Sequence, residues 1–262
     1  MVELVEKSCL LTYNRLMLHP DIAFVFALPI ESSGVRERMA QVRTTKGNGY
    51  TFRSGAFGKL RAVLVHCGIG QSHAKKTTEI VCDVFEPKCI CCAGYAGGLS
   101  RRLDKLALCI PQQVVRHSDG AVIDLTSAVP QCRDVADSHN LTLLTADSII
   151  AQPDDKIRLG KQFGAELVDM ETFAVAEVCR NRQIPLICVR VIFDTAGETI
   201  TSDVLQLQKS AESGLIHLAG AMTRTVWHRP AALYDLYKLR QDAAKASDKL
   251  ARQIGNEIKR TG

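Results

Sequence analysis

The chain has 262 residues, 46% of them hydrophobic and 23% charged, which is ordinary globular usage and excludes a disordered or collagen-like polymer. No apolar run reaches the roughly 18 residues of a membrane span, and Glu3 and Glu6 stand where a secretory signal carries basic residues. A soluble cytoplasmic protein is expected, of a length that one α/β domain can fill.

Residues 1–20 read as a helical lead-in. Ile22–Leu28 (IAFVFAL) is then a nearly unbroken apolar run stopped by Pro29, the pattern of a strand buried on both faces. Tyr50–Phe57 and Arg61–Cys67 read as two further strands with Gly58 in the turn between them. Gly68-Ile-Gly70 breaks the second, and a helical pattern runs from Ser72 to Phe85, halted before Pro87. Lys88–Ala93 is another apolar strand, punctuated by Gly94, Gly97 and Gly98, and Leu106–Ile110 is one more, closed by Pro111. Residues 112–145 are the least legible stretch, with room for one or two strands and a short helix. Leu167–Asp169 ends a strand, Met170–Arg182 is helical, and Pro185–Phe193 (PLICVRVIF) has the strongest central-strand pattern of the chain. A helix is expected from Ser202 to Thr225, and Pro230 opens a last amphipathic helix toward Lys259.

Strands alternating with helices predict an α/β fold: a single-domain three-layer sandwich with a central mixed, largely parallel twisted sheet flanked by helices. The divisions are the lead-in at 1–20, a catalytic domain at 21–225 and a basic helix at 226–262. In such folds ligands gather beyond the C-terminal ends of the strands.

The 33 basic and 28 acidic side chains are unevenly spread. From Ala221 onward nine Lys/Arg face four acids, and residues 1–220 balance at 24 each. A neutral body lacks the clustered positive charge that a nucleic-acid surface needs. The basic tail reads as a solvated helix face rather than a membrane contact. Ten cysteines are present, yet the run Lys88-Cys-Ile-Cys-Cys-Ala93 has no metal-site spacing. Strand alternation would aim Cys91 and Cys92 at opposite faces, as buried small hydrophobes. No metal or other cofactor is called for.

Polar residues at the strand ends suggest chemistry. Cys67-Gly-Ile-Gly-Gln-Ser72 is a Gly-x-Gly turn leading into a helix, either a plain tight turn or a backbone nest for an anion or hydroxyl. Gly94-Tyr-Ala-Gly-Gly-Leu99 implies close backbone approach, to a strand or a ligand. Glu171 opens a helix after Asp169 and Met170, where it would either offset the macrodipole or grip a vicinal diol with two oxygens. Asp194 follows the PLICVRVIF strand. There it is either a turn former or a desolvated carboxyl whose raised pKa suits proton donation. Glu31 lies three residues after the first strand, so three carboxylates stand at three strand mouths.

Taken in order, Ala27-Leu-Pro-Ile-Glu31, Cys67-Gly-Ile-Gly70, Gly94-Tyr-Ala-Gly-Gly-Leu99, Ala146-Asp-Ser-Ile-Ile150, Asp169-Met-Glu171 and Val189-Arg-Val-Ile-Phe-Asp194-Thr-Ala196 resemble the nucleoside phosphorylase superfamily. The nearest branch is that of the methylthioadenosine/S-adenosylhomocysteine nucleosidases, with futalosine hydrolases and hopanoid-associated nucleosidases beside it. The resemblance spans residues 21–220 and leaves out the lead-in and the tail. It implies that Asp194 protonates the purine N7, that Glu171 binds the ribose hydroxyls with Met170 against the sugar, and that Glu31 activates water. Ile149 would lie against the base and the Ile150 backbone would pair with its edge. Gly70, Gly94 and their turns would shape the sugar side of the pocket. A small-molecule nucleoside is the implied partner, and a homodimer or higher homo-oligomer the implied assembly.

The chemistry is coherent in itself. Breaking a ribosyl C–N bond creates a cationic sugar and an anionic base, and an acid on one side with a carboxylate on the other stabilises both charges as they develop. A phosphorylase would hold its phosphate with arginines, but Leu28-Pro-Ile-Glu31 and Cys92 stand where the hexameric phosphorylase pattern has them. Hydrolysis is favoured, with phosphorolysis and a non-catalytic nucleoside sensor as the alternatives. Three departures from the nucleosidase pattern stand out. Phe193 replaces a usual Ser, Tyr95 fills a usually small position, and the segment between Pro111 and Asp147 is short.

Overall fold

The computed structural model describes residues 19–125, 141–200, 241 and 244–255. The expected helix at 202–225 and most of the lead-in lie outside the described residues. The first element of the described residues is β1 (Ile22–Phe26), whose five side chains are all buried. The short helix α1 (Ser33–Arg38) leads into β2 (Met39–Gly47), β3 (Tyr50–Phe57) and β4 (Leu60–His66). Then come α2 (Gln71–Phe85), β5 (Ile90–Gly98) and the short strands β6 (Leu108–Cys109), β7 (Gln113–Arg116) and β8 (Val122–Asp124). β9 (Thr142–Thr145), α3 (Pro153–Phe163), β10 (Leu167–Asp169), α4 (Thr172–Arg182) and β11 (Leu186–Asp194) follow.

The eleven strands of the described residues form one mixed sheet in the order β2-β3-β4-β1-β5-β10-β9-β7-β8, with β11 pairing both β5 and β6. The pairs at its centre, β4 with β1, β1 with β5 and β5 with β11, are parallel. Helices cover both faces. Residues of α2 and α4, among them Val81, Phe85, Phe173 and Val178, share one core with Cys92, Cys188 and Ile192. On the other side Cys91, Val189 and Val191 pack with Val35 of α1 and with Ala246, Leu250 and Ile254. Cys91 and Cys92 thus enter different cores, as alternation requires.

Those last residues belong to the basic tail. Residues 244–255 are helical, and Ala246, Leu250, Ala251 and Ile254 are buried. Arg38 pairs with Asp248, and Lys249 Nζ donates to the Leu106 carbonyl. This part of the tail is a packed layer of the sandwich, and only its outer face is a solvated one. None of the described helices is long and apolar enough to cross a membrane.

Three of the boundaries that differ from the sequence reading bear on the site. β1 ends at Phe26 rather than Leu28, so Glu31 lies five residues beyond it. β11 includes Asp194 as its last residue. The glycines 94, 97 and 98 lie inside β5 rather than after it.

The path of β5 creates an opening. One edge pairs with β11 along its length. The other edge pairs with β1 at Ile90–Cys92 and with the antiparallel β10 at Gly97 and Gly98. From Ala93 to Ala96 that second edge pairs with no strand among the described residues. Because β10 runs against β5, its C-terminal end points back toward the C-terminal end of β1. The loops leaving these two ends therefore meet at the gap, and they carry Glu171 and Glu31.

Candidate active site

A backbone N–H on an unpaired inner strand edge needs an acceptor. Glu31 supplies it: Oε1 accepts the Tyr95 N–H at 2.9 Å and Oε2 accepts the Leu28 N–H at 2.8 Å. The absence of a side chain at Gly94 makes this approach possible, since a Cβ there would stand 2.8 Å from Glu31 Oε1. Burial pushes the Glu31 carboxyl above its ordinary pKa, while the Tyr95 and Leu28 N–H groups and the Arg190 charge pull the other way.

The loop beneath Glu31 is clasped on two further sides. Ser32 Oγ donates to the Pro29 carbonyl and lies 2.7 Å from His66 Nε2. His66 is pushed down to about 4, first by burial and then by Arg53 and Arg36. It is therefore neutral at physiological pH. From the tail helix, Ser247 Oγ donates to the Glu31 carbonyl at 2.8 Å and accepts the Gly34 N–H at 2.8 Å.

Glu171 occupies the N-cap position of α4, one residue before the first turn where sequence reasoning placed it. Its carboxylate does not cap that helix. Asp169 Oδ2 accepts the Thr172 N–H instead, so the capping duty belongs to Asp169. Glu171 Oε1 turns to the start of α2 and accepts the Gly70 N–H at 2.7 Å. Gly70 has φ +96°, a conformation open to glycine at no steric penalty. Burial first, and the neighbouring Asp169 next, raise Glu171 to about 8, against the Gly70 N–H.

Arg190, in the middle of β11, is the functional candidate that sequence reasoning left inside a motif without a role. It is fully buried, with Nη2 donating to Asp169 Oδ2 at 2.9 Å, Thr172 Oγ1 at 2.6 Å and Cys92 Sγ at 3.0 Å. A buried arginine without partners would be strongly destabilising, and an arginine inside an all-apolar strand was itself the available signal. Glu31, Glu171, Arg190, Gly94 and Tyr95 line one small hollow.

Asp194 does not line that hollow. It stands at the end of β11 beside Gly97 of β5, where a Cβ would lie 3.2 Å from its Oδ2; there β5 is paired on both edges, with Val168 of β10 and with Asp194. Gly94 and Gly97 are three residues apart, about 10 Å along an extended strand. A register shift between Ile192 and Asp194 lets β11 turn this carboxyl toward β5. Burial pushes the Asp194 pKa up, opposed by the Lys156 ammonium, whose Nζ lies 2.5 Å from Oδ2. Lys156 comes from α3, a helix absent from the sequence reading.

Met170 sits half-buried between Asp169 and Glu171, and Ile149 and Ile150 are half-buried in the loop from β9 to α3. Tyr95 and Phe193, two separate departures in the sequence, belong together: their rings stack at 4.9 Å and 8°. A small residue at either position would leave the other ring without its partner.

A family model described as the phosphorylase superfamily matches residues 21–225. The chain belongs to that superfamily. Among curated superfamily relatives, the 5′-methylthioadenosine/S-adenosylhomocysteine nucleosidase of Bacillus cereus (strain B4264) is 24% identical over 200 residues, covering 68% of this chain and 87% of the relative. The corresponding nucleosidase of Bacillus thuringiensis (strain Al Hakam) matches to the same extent. Among solved superfamily structures, a mutant of Helicobacter pylori MTAN with 5′-methylthioadenosine in its active site gives a TM-score of 0.70 at 18% identity, covering 92% of this chain and 99% of that one. The native futalosine hydrolase of Helicobacter pylori gives 0.69 at 17% identity, with 94% and 99% covered. These likenesses bear out the α/β sandwich.

Proposed function

We propose that the protein is a nucleosidase that hydrolyses the N-glycosidic bond of a purine nucleoside, with a 5′-modified adenosine as the leading substrate class. Kinship with methylthioadenosine/S-adenosylhomocysteine nucleosidases and futalosine hydrolases supports the reaction type. The observation that carries the reading is the placement of three carboxyls along β5, with Glu31 and Glu171 at the gap beside Gly94 and Asp194 beside Gly97.

In this reading a nucleoside lies along β5. Glu31, its carboxylate made more basic by burial, takes a proton from water as it attacks the anomeric carbon. Glu171 binds the ribose hydroxyls with Met170 against the sugar, and the Gly70 turn fixes the Glu171 carboxylate from behind. Asp194 donates its proton to the leaving base, with Ile149 and Ile150 along that base. Acid and base assistance of this kind is worth about a hundredfold to ten-thousandfold each. A buried carboxyl at Glu31 suits water and repels phosphate, which favours hydrolysis over phosphorolysis.

The test is base release from methylthioadenosine, S-adenosylhomocysteine, adenosine, inosine and futalosine, with and without phosphate. Release without phosphate is expected. Dependence on phosphate would move the protein to the phosphorylases, and tight binding with no release would make it a sensor. Asp194→Asn is expected to lower kcat at least a hundredfold with little change in ligand affinity. Near-normal turnover in that variant would remove the proton-donor role.

A further inference from the structure

Lys156 is among the largest fully buried side chains of the protein. Burying an ammonium is costly unless it is paired and hydrogen-bonded, and this one is. Its three N–H donors have three acceptors: Asp194 Oδ2, the Thr195 carbonyl at 3.0 Å and the Glu198 carbonyl at 2.7 Å. All three belong to the end of β11 and the turn that follows it. The turn closes on itself, with Glu198 Oε2 accepting the Thr195 N–H at 2.7 Å. A methionine would fill similar volume without the desolvation penalty, so packing alone does not call for a lysine.

We propose that Lys156 is a positioning residue for the reaction, which fixes the Asp194 carboxyl at the mouth of β11 and stabilises the carboxylate left when Asp194 gives up its proton. The inference rests on the reading of Asp194 as the acid. In the step, the electron pair of the breaking C–N bond goes to the base, and the proton moves from Asp194 to a base nitrogen. Asp194 is left as a carboxylate against an ammonium that keeps its own three protons. Solvent returns the proton after the base departs. The paired geometry in the structure is that of the deprotonated acid, so the fold is built around the product of the proton transfer.

The position of α3 adds a second role. Lys156 follows Ile149 and Ile150 by one short loop and the first turn of the helix, so one segment sets both the base-facing residues and the charge behind the acid. The other charges facing Asp194 are Glu198, in the turn, and Lys105, from the loop before β6. These two pair with each other at 3.8 Å, which leaves Lys156 as the cation in direct contact.

The experiment is the pH profile of kcat in Lys156→Met, Asp194→Asn and the double variant. A nearby cation favours the ionised carboxylate, so its loss makes Asp194 a weaker acid. The Lys156→Met enzyme is expected to lose about ten- to hundredfold in kcat, a share of what an acid provides. Its KM should stay nearly unchanged, and the falling limb at high pH should move to higher pH. In the Asp194→Asn background the same change should have no further effect on kcat. Lys156→Arg retains the charge and should keep the wild-type limb. An unmoved limb, or an equal loss in both backgrounds, would overturn the proposal while leaving Asp194 as the acid. Full activity of Asp194→Asn alone would instead overturn the functional reading. An arm that needs no variant is the ¹³C signal of the Asp194 carboxyl in wild-type enzyme holding free adenine. An ionised carboxylate at neutral pH is expected there, and a protonated one would refute the inference.

Discussion

Gly94→Ala isolates the contact on which the Glu31 assignment depends. The added methyl would lie 2.8 Å from Glu31 Oε1 and 3.3 Å from Arg190 Nη1, well inside the 3.4 Å at which ordinary contact begins. Arg190 is held by Asp169 and Thr172, so Glu31 must be the group that yields. It cannot swing freely, because each of its oxygens accepts a backbone N–H. The variant therefore loosens at least one charge-assisted bond, worth about 1.5–3 kcal/mol. At about 1.36 kcal/mol per decade, kcat/KM should fall about ten- to hundredfold. Adenine release from methylthioadenosine is the assay, with thermal unfolding run alongside. Gly97→Ala is the graded comparison: its methyl would sit 3.2 Å from Asp194 Oδ2 and Val168 Cγ1, a gap that small shifts relieve, so a smaller loss is expected. Gly255→Ala, 4.0 Å from its nearest neighbour, Phe57, should leave kcat/KM unchanged. If all three variants turn over alike, Glu31 is not acting from the edge of β5.

Two further outcomes follow from burial. The Glu171 carboxyl rises from 4.5 to about 8 on folding, so the folded state holds a proton that the unfolded chain has released. That contribution is complete below pH 4.5 and is lost as pH rises through about 8. Denaturant unfolding of Glu171→Gln against wild type should show the variant gaining relative stability between pH 5 and pH 8.5, and parallel curves would contradict the shift. Leu250→Ala, in the buried tail helix, should cost about 2–5 kcal/mol. An unchanged Tm would mean that the helix does not pack as described.

Much of the sheet was legible because a strand covered on both faces must be apolar throughout. β1 and β11 are such runs, and so is the first part of β5. The method fails where burial is one-sided or local. β2 buries only Met39 fully, so no apolar run marks it in the sequence. α3 buries Lys156 and Leu159, and a lysine ordinarily signals a solvent face. Its start was nevertheless marked, by Pro153 followed by Asp154 and Asp155, and its end by Gly164. Glycine also misled: Gly94 and Gly97 read as punctuation but continue β5 and leave room for carboxylates. The positions of Glu31, Glu171 and Asp194 at strand mouths were readable from pattern. Their partners were not, because Ser247 lies 216 residues from Glu31 and nothing in a linear pattern joins the two.

That separation has a consequence during synthesis. Translation at about 5–20 residues per second puts roughly 10 to 40 s between the appearance of Glu31 and that of the serine that fastens its carbonyl. A nascent chain that has reached Asp194 already holds Glu31, Glu171 and Asp194, yet the loop bearing Glu31 lacks the Ser247 clasp. A fragment ending before Ser247 would keep the Leu28 and Tyr95 bonds to the Glu31 carboxyl and lack the serine that fastens its carbonyl.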